Sequence, residues 1–157
     1  MNNNIIKTIE LSFIEHATEN GEKILSVIEN KLKIDKKKFT HSIAWGHFEN
    51  EIKLFKSIIN NEDADKCIIN IINKIDHNEK SFLLDSIENH IDKKSNFYLR
   101  VDKQKLFSDI ITTSEKDAIR IKIKHYKDKT TKEIIEYYQH LWILRTINWL
   151  EKKNVTY

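Results

Sequence analysis

The chain has no proline, and its only glycines are Gly21 and Gly46. Its turns must therefore be made from Asn, Asp, Ser and Lys, which tolerate or cap turn geometry through their side chains. Cys67 is the single cysteine. No intramolecular disulfide can form, and a reducing, cytosolic setting is expected. No run of about 18 apolar residues occurs, which argues against a membrane-spanning helix. The Met1-Asn2-Asn3-Asn4 start lacks a charged region followed by an apolar core, so no signal peptide is expected. A Gly-rich phosphate loop, a nucleophile elbow and an H-E-x-x-H helix are also missing, so no catalytic residue is assigned and no cofactor is expected.

What is present suits a globular chain. The 157 residues are 39% hydrophobic and 32% charged. That length supports one domain with a sizeable core, expected over residues 4–126, followed by a C-terminal helix at 130–153. The formal net charge is only +3. The whole chain is no polycation, and any nucleic-acid reading must rest on where the charge sits.

Period-two alternation marks strands and a period near 3.6 marks helices. Ile5–Ile14 reads as a strand, with Ile5, Ile9, Leu11 and Phe13 on one face. Thr18 or Asn20 can cap a helix carrying Ile24, Val27, Ile28 and Leu32. Lys36–Phe48 and Ile52–Ile58 read as a hairpin turning at Gly46–Asn50. Asp63 or Asp65 opens a second helix, striped by Ala64, Cys67, Ile68, Ile71, Ile72 and Ile75. Asp76 with Glu79 starts a third, through about His90. Phe97–Asp102 is a strand, Lys103–Ile111 a short helix with Leu106, Phe107, Ile110 and Ile111 inward, and Asp117–His125 the last strand. Thr130-Thr131-Lys132-Glu133 is a capping box for the C-terminal helix. Strands in this order, with helices between them, predict an α+β fold: a mostly antiparallel five-stranded sheet with helices packed on one face and the other face wet.

The stretch Asn96–Tyr126 carries the functional signal. Phe97, Leu99 and Val101 oppose Tyr98, Arg100 and Asp102, and Ile119, Ile121 and Ile123 oppose Arg120, Lys122 and Lys124. Between Phe97 and Lys129 nine Lys or Arg stand against five Asp or Glu. The wet face thus offers cations for phosphates and a Tyr98 ring for stacking. A face made soluble by Lys and Arg, with edge lysines that oppose aggregation, has the same pattern.

Four short runs occur in order: His16-Ala17-Thr18-Glu19, Gly46-His47-Phe48-Glu49-Asn50-Glu51-Ile52, Tyr98-Leu99-Arg100-Val101-Asp102-Lys103-Gln104, and Asp117-Ala118-Ile119-Arg120-Ile121-Lys122-Ile123. Together they resemble an archaeal family of predicted RNA-binding proteins, also described as predicted exosome-subunit proteins. That family's fold is similar to large-subunit ribosomal protein five, which contacts 5S ribosomal RNA. The resemblance covers about Ile5–Lys124, and its most specific part is Leu99–Gln104. It implies RNA binding, accessory to RNA processing or exosome-linked degradation. In the family the hairpin usually reads Gly-His-Phe-Gly-Asn-Pro-Ile. Glu49 and Glu51 replace two of those residues here and disfavour phosphate contact at the turn.

The expected RNA contacts are Tyr98, Arg100, Lys103, Gln104, Arg120, Lys122 and Lys124, with His47 and Asn50 at the hairpin. Each has a structural alternative. Asp102 reads as the cap of the segment that follows it, and His47 and Asn50 can simply fix their turn. His16-x-x-Glu19 and His47-x-Glu49 supply metal-ligand types, which keeps a metal-dependent hydrolase as a minor alternative, but with no recognised spacing. The C-terminal helix is apolar nearly all round, so it wants burial on two sides. Tyr138, Leu141, Trp142 and Trp149 are its expected contacts with a second subunit or protein partner, an adaptor or dimer reading. It could also sink into its own core, or lie across the basic face and cover it.

Overall fold

The structure, a computed structural model, describes residues 5–108 and 110–154, without the side chains of 144–149 and 152–154. Strands β1 (Ile6–Glu15), β2 (Phe39–Trp45), β3 (Glu51–Asn60), β4 (Phe97–Asp102) and β5 (Ala118–His125) form one sheet in the order β2-β3-β1-β5-β4. Every neighbouring pair is antiparallel. Helices α1 (Gly21–Leu32), α2 (Asn61–Lys74), α3 (His77–Asp85) and α4 (Thr131–Asn154) complete the expected α+β architecture.

Alternation decides which face each side chain takes. Leu11, Phe13, Phe55, Ile59, Leu99, Val101, Ile119, Ile121 and Ile123 are buried beneath the helices. Strand β1 departs from strict alternation. A β-bulge between Ile6 and Thr8 shifts the register, so Ile6 is buried in place of the expected Ile5, with Ile9 still on the core side. In α1, Asn20 is the cap, its side chain accepting from Lys23 N at 3.3 Å. The stripe of α2 from Ala64 to Ile72 is buried as its spacing demands.

Three boundaries differ from expectation. The strand expected from Lys36 begins with a 3-10 turn at Lys36–Lys38, because the Asp35 side chain accepts from Lys37 N at 2.9 Å. The helix expected through His90 ends at Asp85 and continues as a separate 3-10 turn, Ile87–His90. Lys103–Ile111 is only a 3-10 turn at Lys105–Phe107. That segment is tied back at once, Ile111 N donating to Lys74 O at 3.0 Å and Asp102 N to Thr112 O at 2.8 Å. Leu106 and Ile111 stay buried, while Phe107 and Ile110 are exposed, contrary to the sequence reading.

The capping box of α4 forms as read: Glu133 N donates to Thr130 Oγ1 at 3.2 Å and Thr130 N to Glu133 Oε2 at 2.9 Å. Ile134, Tyr138 and Trp142 are buried within this chain's own core. The Tyr138 ring stacks on Phe97 with centroids 4.7 Å apart, and Trp142 meets Phe97 edge-on at 6.4 Å. Phe97 points to the helix side of β4. The described part of α4 therefore packs opposite Tyr98, Arg100 and Arg120, and it leaves the basic face open. Tyr138 and Trp142 are thereby withdrawn from any partner, and Leu141 packs half-buried on the core. Trp149 lies outside the described side chains.

His125 fastens α4 to the sheet end. Its Nδ1 hydrogen-bonds Ser95 O at 2.6 Å and its Nε2 hydrogen-bonds the Tyr138 hydroxyl at 2.7 Å. A carbonyl only accepts, so Nδ1 carries the proton and Nε2 accepts from Tyr138. Burial pushes the His125 pKa below its ordinary value of 6.5, and the bond to Ser95 opposes this only in part. The unfolded chain then binds a proton that the folded chain refuses. Stability is present above about pH 6.5 and falls with acidification below it, at up to about 1.4 kcal/mol per pH unit. Urea unfolding at pH 7.5 and 5.5 should show this loss, and His125→Gln should flatten it.

Candidate nucleic-acid interface

Strand pairing places residues from different strands side by side on the open face. Thr40 pairs with Lys56, Lys56 with Ser12, Ser12 with Arg120, and Arg120 with Arg100. Lys56, Ser12, Arg120 and Arg100 thus form one cross-strand row. The neighbouring row runs Ile58, Glu10, Lys122, Tyr98. Lys56, Arg100 and Arg120 are exposed.

Arg100 and Arg120 face each other at close range. Arg100 O accepts from Ser114 N at 3.0 Å, so its main chain points away from β5. The pair is then of the non-hydrogen-bonded type, with Cα atoms about 4.5 Å apart. Like charges directly opposite each other destabilise a sheet. Among the described residues neither guanidinium has a carboxylate partner; Arg100 Nη1 reaches only the Glu115 carbonyl, at 3.5 Å. An anion would relieve that repulsion. Both arginines line a hollow of about 270 Å³ with Ser12, His16 and Asp117.

The other basic residues are committed more locally. Lys124 pairs with Glu10 at 3.1 Å. The Lys122 ammonium lies 5.7 Å from the centroid of the Tyr98 ring. Tyr98, 39% exposed, donates its hydroxyl to Asp92 Oδ2 at 3.0 Å. Burial works against ionisation of Asp92, but hydrogen bonds from Asn96, Tyr98 and Lys94 prevail and hold its pKa down at about 2. Asp92 is thus a fixed anion that orients the ring.

Lys103 has a different place from the one expected. It is 1% exposed, and its Nζ donates to Ile14 O at 2.8 Å, Glu19 Oε1 at 2.9 Å and Asp117 Oδ1 at 2.8 Å. The ammonium is wholly used inside the chain and cannot contact RNA. His16 Nε2 adds a contact to Asp117 at 3.0 Å. Burial raises the Asp117 pKa, but bonds from Lys103 and His16 overcome it and leave the carboxyl below its ordinary range. His16, Glu19 and Asp117 bring three metal-ligand atoms within 4.8 Å of one another. The Lys103 ammonium already supplies the cation there. Gln104 N and Lys105 N both donate to Asp102 Oδ1 at 3.0 Å, so Asp102 is the cap it was read to be.

His47 and Asn50 sit at the β2–β3 tip, on the far edge of the sheet from β4. Gly46 N donates to Asn50 O at 2.7 Å, and a Cβ at Gly46 would lie 2.6 Å from Asn50 Oδ1. Asn50 therefore fills the space that glycine leaves and closes the turn. The exposed His47 ring stands edge-on to Phe48. Neither residue converges with the arginine pair. Lys56 and Ser12 were missed by sequence reasoning, since only the register shows that they share a row with Arg120.

An open antiparallel face with two opposed arginines that lack a carboxylate partner among the described residues has the chemistry to hold a polyanion. The family model described as RNA binding matches residues 8–125, and the chain belongs to that family. It is 29% identical over 115 residues to an RNA-binding protein of Pyrococcus abyssi, covering 69% of this chain and 75% of that one. It is 29% identical over 133 residues to an uncharacterized protein of Methanocaldococcus jannaschii, covering 82% and 89%. A crystal structure of a Sulfolobus solfataricus protein superposes with a TM-score of 0.71 at 25% identity, covering 88% of this chain and 98% of that one. No helix among the described residues is long and apolar enough to cross a membrane.

Proposed function

We propose that this protein is a non-catalytic RNA-binding protein that holds the phosphate backbone of a structured RNA on the open sheet face. The observation that carries the reading is the Arg100–Arg120 pair, opposed on that face with no carboxylate partner among the described residues. Lys56 extends the cation row across Ser12, and Lys122 above Tyr98 extends it along the sheet. Backbone contacts of this kind position RNA without reading its sequence. A place accessory to RNA processing or exosome-linked degradation follows from the family resemblance alone.

Titration of a fluorescently labelled RNA stem-loop at several salt concentrations tests the reading. Association must weaken linearly in log–log terms as salt rises, because cations that neutralise phosphates release counterions. No binding at low salt would sink it.

A further inference from the structure

Strand β4 forms one edge of the sheet, yet most of its outer side is covered. At one end Asp92 N donates to Asn96 O at 3.0 Å, with Ile91 opposite Phe97. At the other, Ser114 N donates to Arg100 O at 3.0 Å and Asp102 N to Thr112 O at 2.8 Å, with Thr113 opposite Val101. Between these two bridges a short notch stays open. Because Arg100 O faces outward, Arg100 N–H and Tyr98 C=O face the same edge, since alternate strand residues share it. Neither has a hydrogen-bond partner among the described residues. They border a cavity of about 610 Å³ whose lining includes the apolar Phe82, Leu83 and Ile91 and the carboxylates Asp92 and Glu115.

We propose that this notch binds the base of one adenine nucleotide, an unpaired residue of the bound RNA, through Tyr98 C=O and Arg100 N–H; the inference rests on the RNA-binding reading and deepens it. Adenine presents an N6 donor beside an N1 acceptor on its Watson–Crick edge, the complement of an outward C=O and N–H two residues apart. Cytosine offers the same order at N4 and N3 with less ring surface. Uracil also offers it, at N3–H and O2 on the smaller ring, whereas guanine places O6 beside N1–H and sets an oxygen against Tyr98 C=O when its ribose lies toward Arg100. The cavity is in the size range of small-ligand sites, about 300–1,000 Å³, and its apolar wall suits a flat ring. An extended peptide pairs along several residues. The two bridges leave only one donor–acceptor pair, which suits a compact planar group instead. Arg100 lines both this cavity and the hollow it shares with Arg120. A base in the notch with its ribose toward Arg100 puts its own phosphate near two guanidiniums, which outnumber the Glu115 carboxylate lining the same two hollows, and the Asp92 carboxylate disfavours the opposite orientation.

The test uses the full chain. RNA stem-loops differing only in one bulged nucleotide are titrated by fluorescence anisotropy, and AMP, GMP, CMP and UMP are titrated against the ¹⁵N-labelled protein. The adenine bulge should bind about tenfold more tightly than the guanine bulge, a value at the low end of what a two-bond base contact discriminates. The cytosine bulge should fall between them, and AMP should shift the Arg100 amide resonance. Arg100→Ala should weaken every stem-loop yet keep the adenine-to-guanine ratio. Arg100→Pro, which also removes the outward N–H at an edge position where proline is tolerated, should abolish the ratio with the amide spectrum otherwise intact. Phe82→Ala, on the cavity wall, should reduce the ratio as a second, independent variant. Equal, salt-sensitive binding of all four bulges overturns the adenine site and leaves the RNA-binding reading standing. Binding of none at low salt removes that reading as well. An AMP shift at Arg100 without any difference among the bulges keeps the base site and overturns RNA as the source of the nucleotide.

Discussion

Replacing Arg100 and Arg120 together by alanine is expected to lower affinity for a structured RNA by about 10- to 100-fold at low salt and to flatten the slope of log K against log salt by about 1.4 to 1.8. The magnitude follows from two lost phosphate contacts, each releasing most of one counterion. Neither guanidinium is spent on a carboxylate among the described residues, so their full charge faces solvent. Lys124→Ala is the matched control. Its ammonium is already paired with Glu10 at 3.1 Å, so it should change the slope little. The double variant should fold normally and melt at the same or a slightly higher temperature, because it removes a like-charge pair worth about 0.2–1 kcal/mol of repulsion. An unchanged salt slope would show that RNA is held elsewhere.

Lys103→Met should instead act on stability. The Lys103 ammonium is fully buried and bonds Ile14 O, Glu19 and Asp117. Its removal leaves two carboxylates facing each other and a carbonyl without its donor. Breaking a buried pair from one side costs about 3–5 kcal/mol, and since Asp117 is 45% exposed, a loss of about 2–4 kcal/mol is expected here. A urea unfolding midpoint measures it. RNA affinity of the folded fraction should keep its salt slope, which separates Lys103 from the arginine pair. A variant as stable as the parent would refute the assignment.

The contrast between these residues shows how far the sequence could be read. Arg100, Lys103 and Gln104 lie within five positions and carry similar polar chemistry. Alternation put Arg100 on the wet face, and it is there. Lys103 lies just past the strand end, where period-two reasoning has no authority. Its fate was set by Ile14, Glu19 and Asp117, up to 89 residues away. Lys56 was invisible as a site residue for the same reason, since a strand's own pattern does not say which strands flank it. In α4 the aromatic surplus was legible as a demand for burial, but not what would meet it. Phe97 met it, so Tyr138 and Trp142 became core rather than interface. Asp102 and Thr130 were read correctly as caps, because a cap is satisfied within a few residues of itself.

The sequence by itself determined the α+β class, the five strands, the amphipathic helices and the basic character of the Tyr98–Lys124 face. All of these follow from periodicities and caps that act over a few residues. Tertiary structure alone decided that the face is open, that Arg100 meets Arg120 beside Ser12 and Lys56, that Lys103 is buried, and that a notch remains on the β4 edge. Those outcomes depend on strand order, register and the side on which α4 packs. They are contacts between distant segments, and no local pattern encodes which segments will be neighbours.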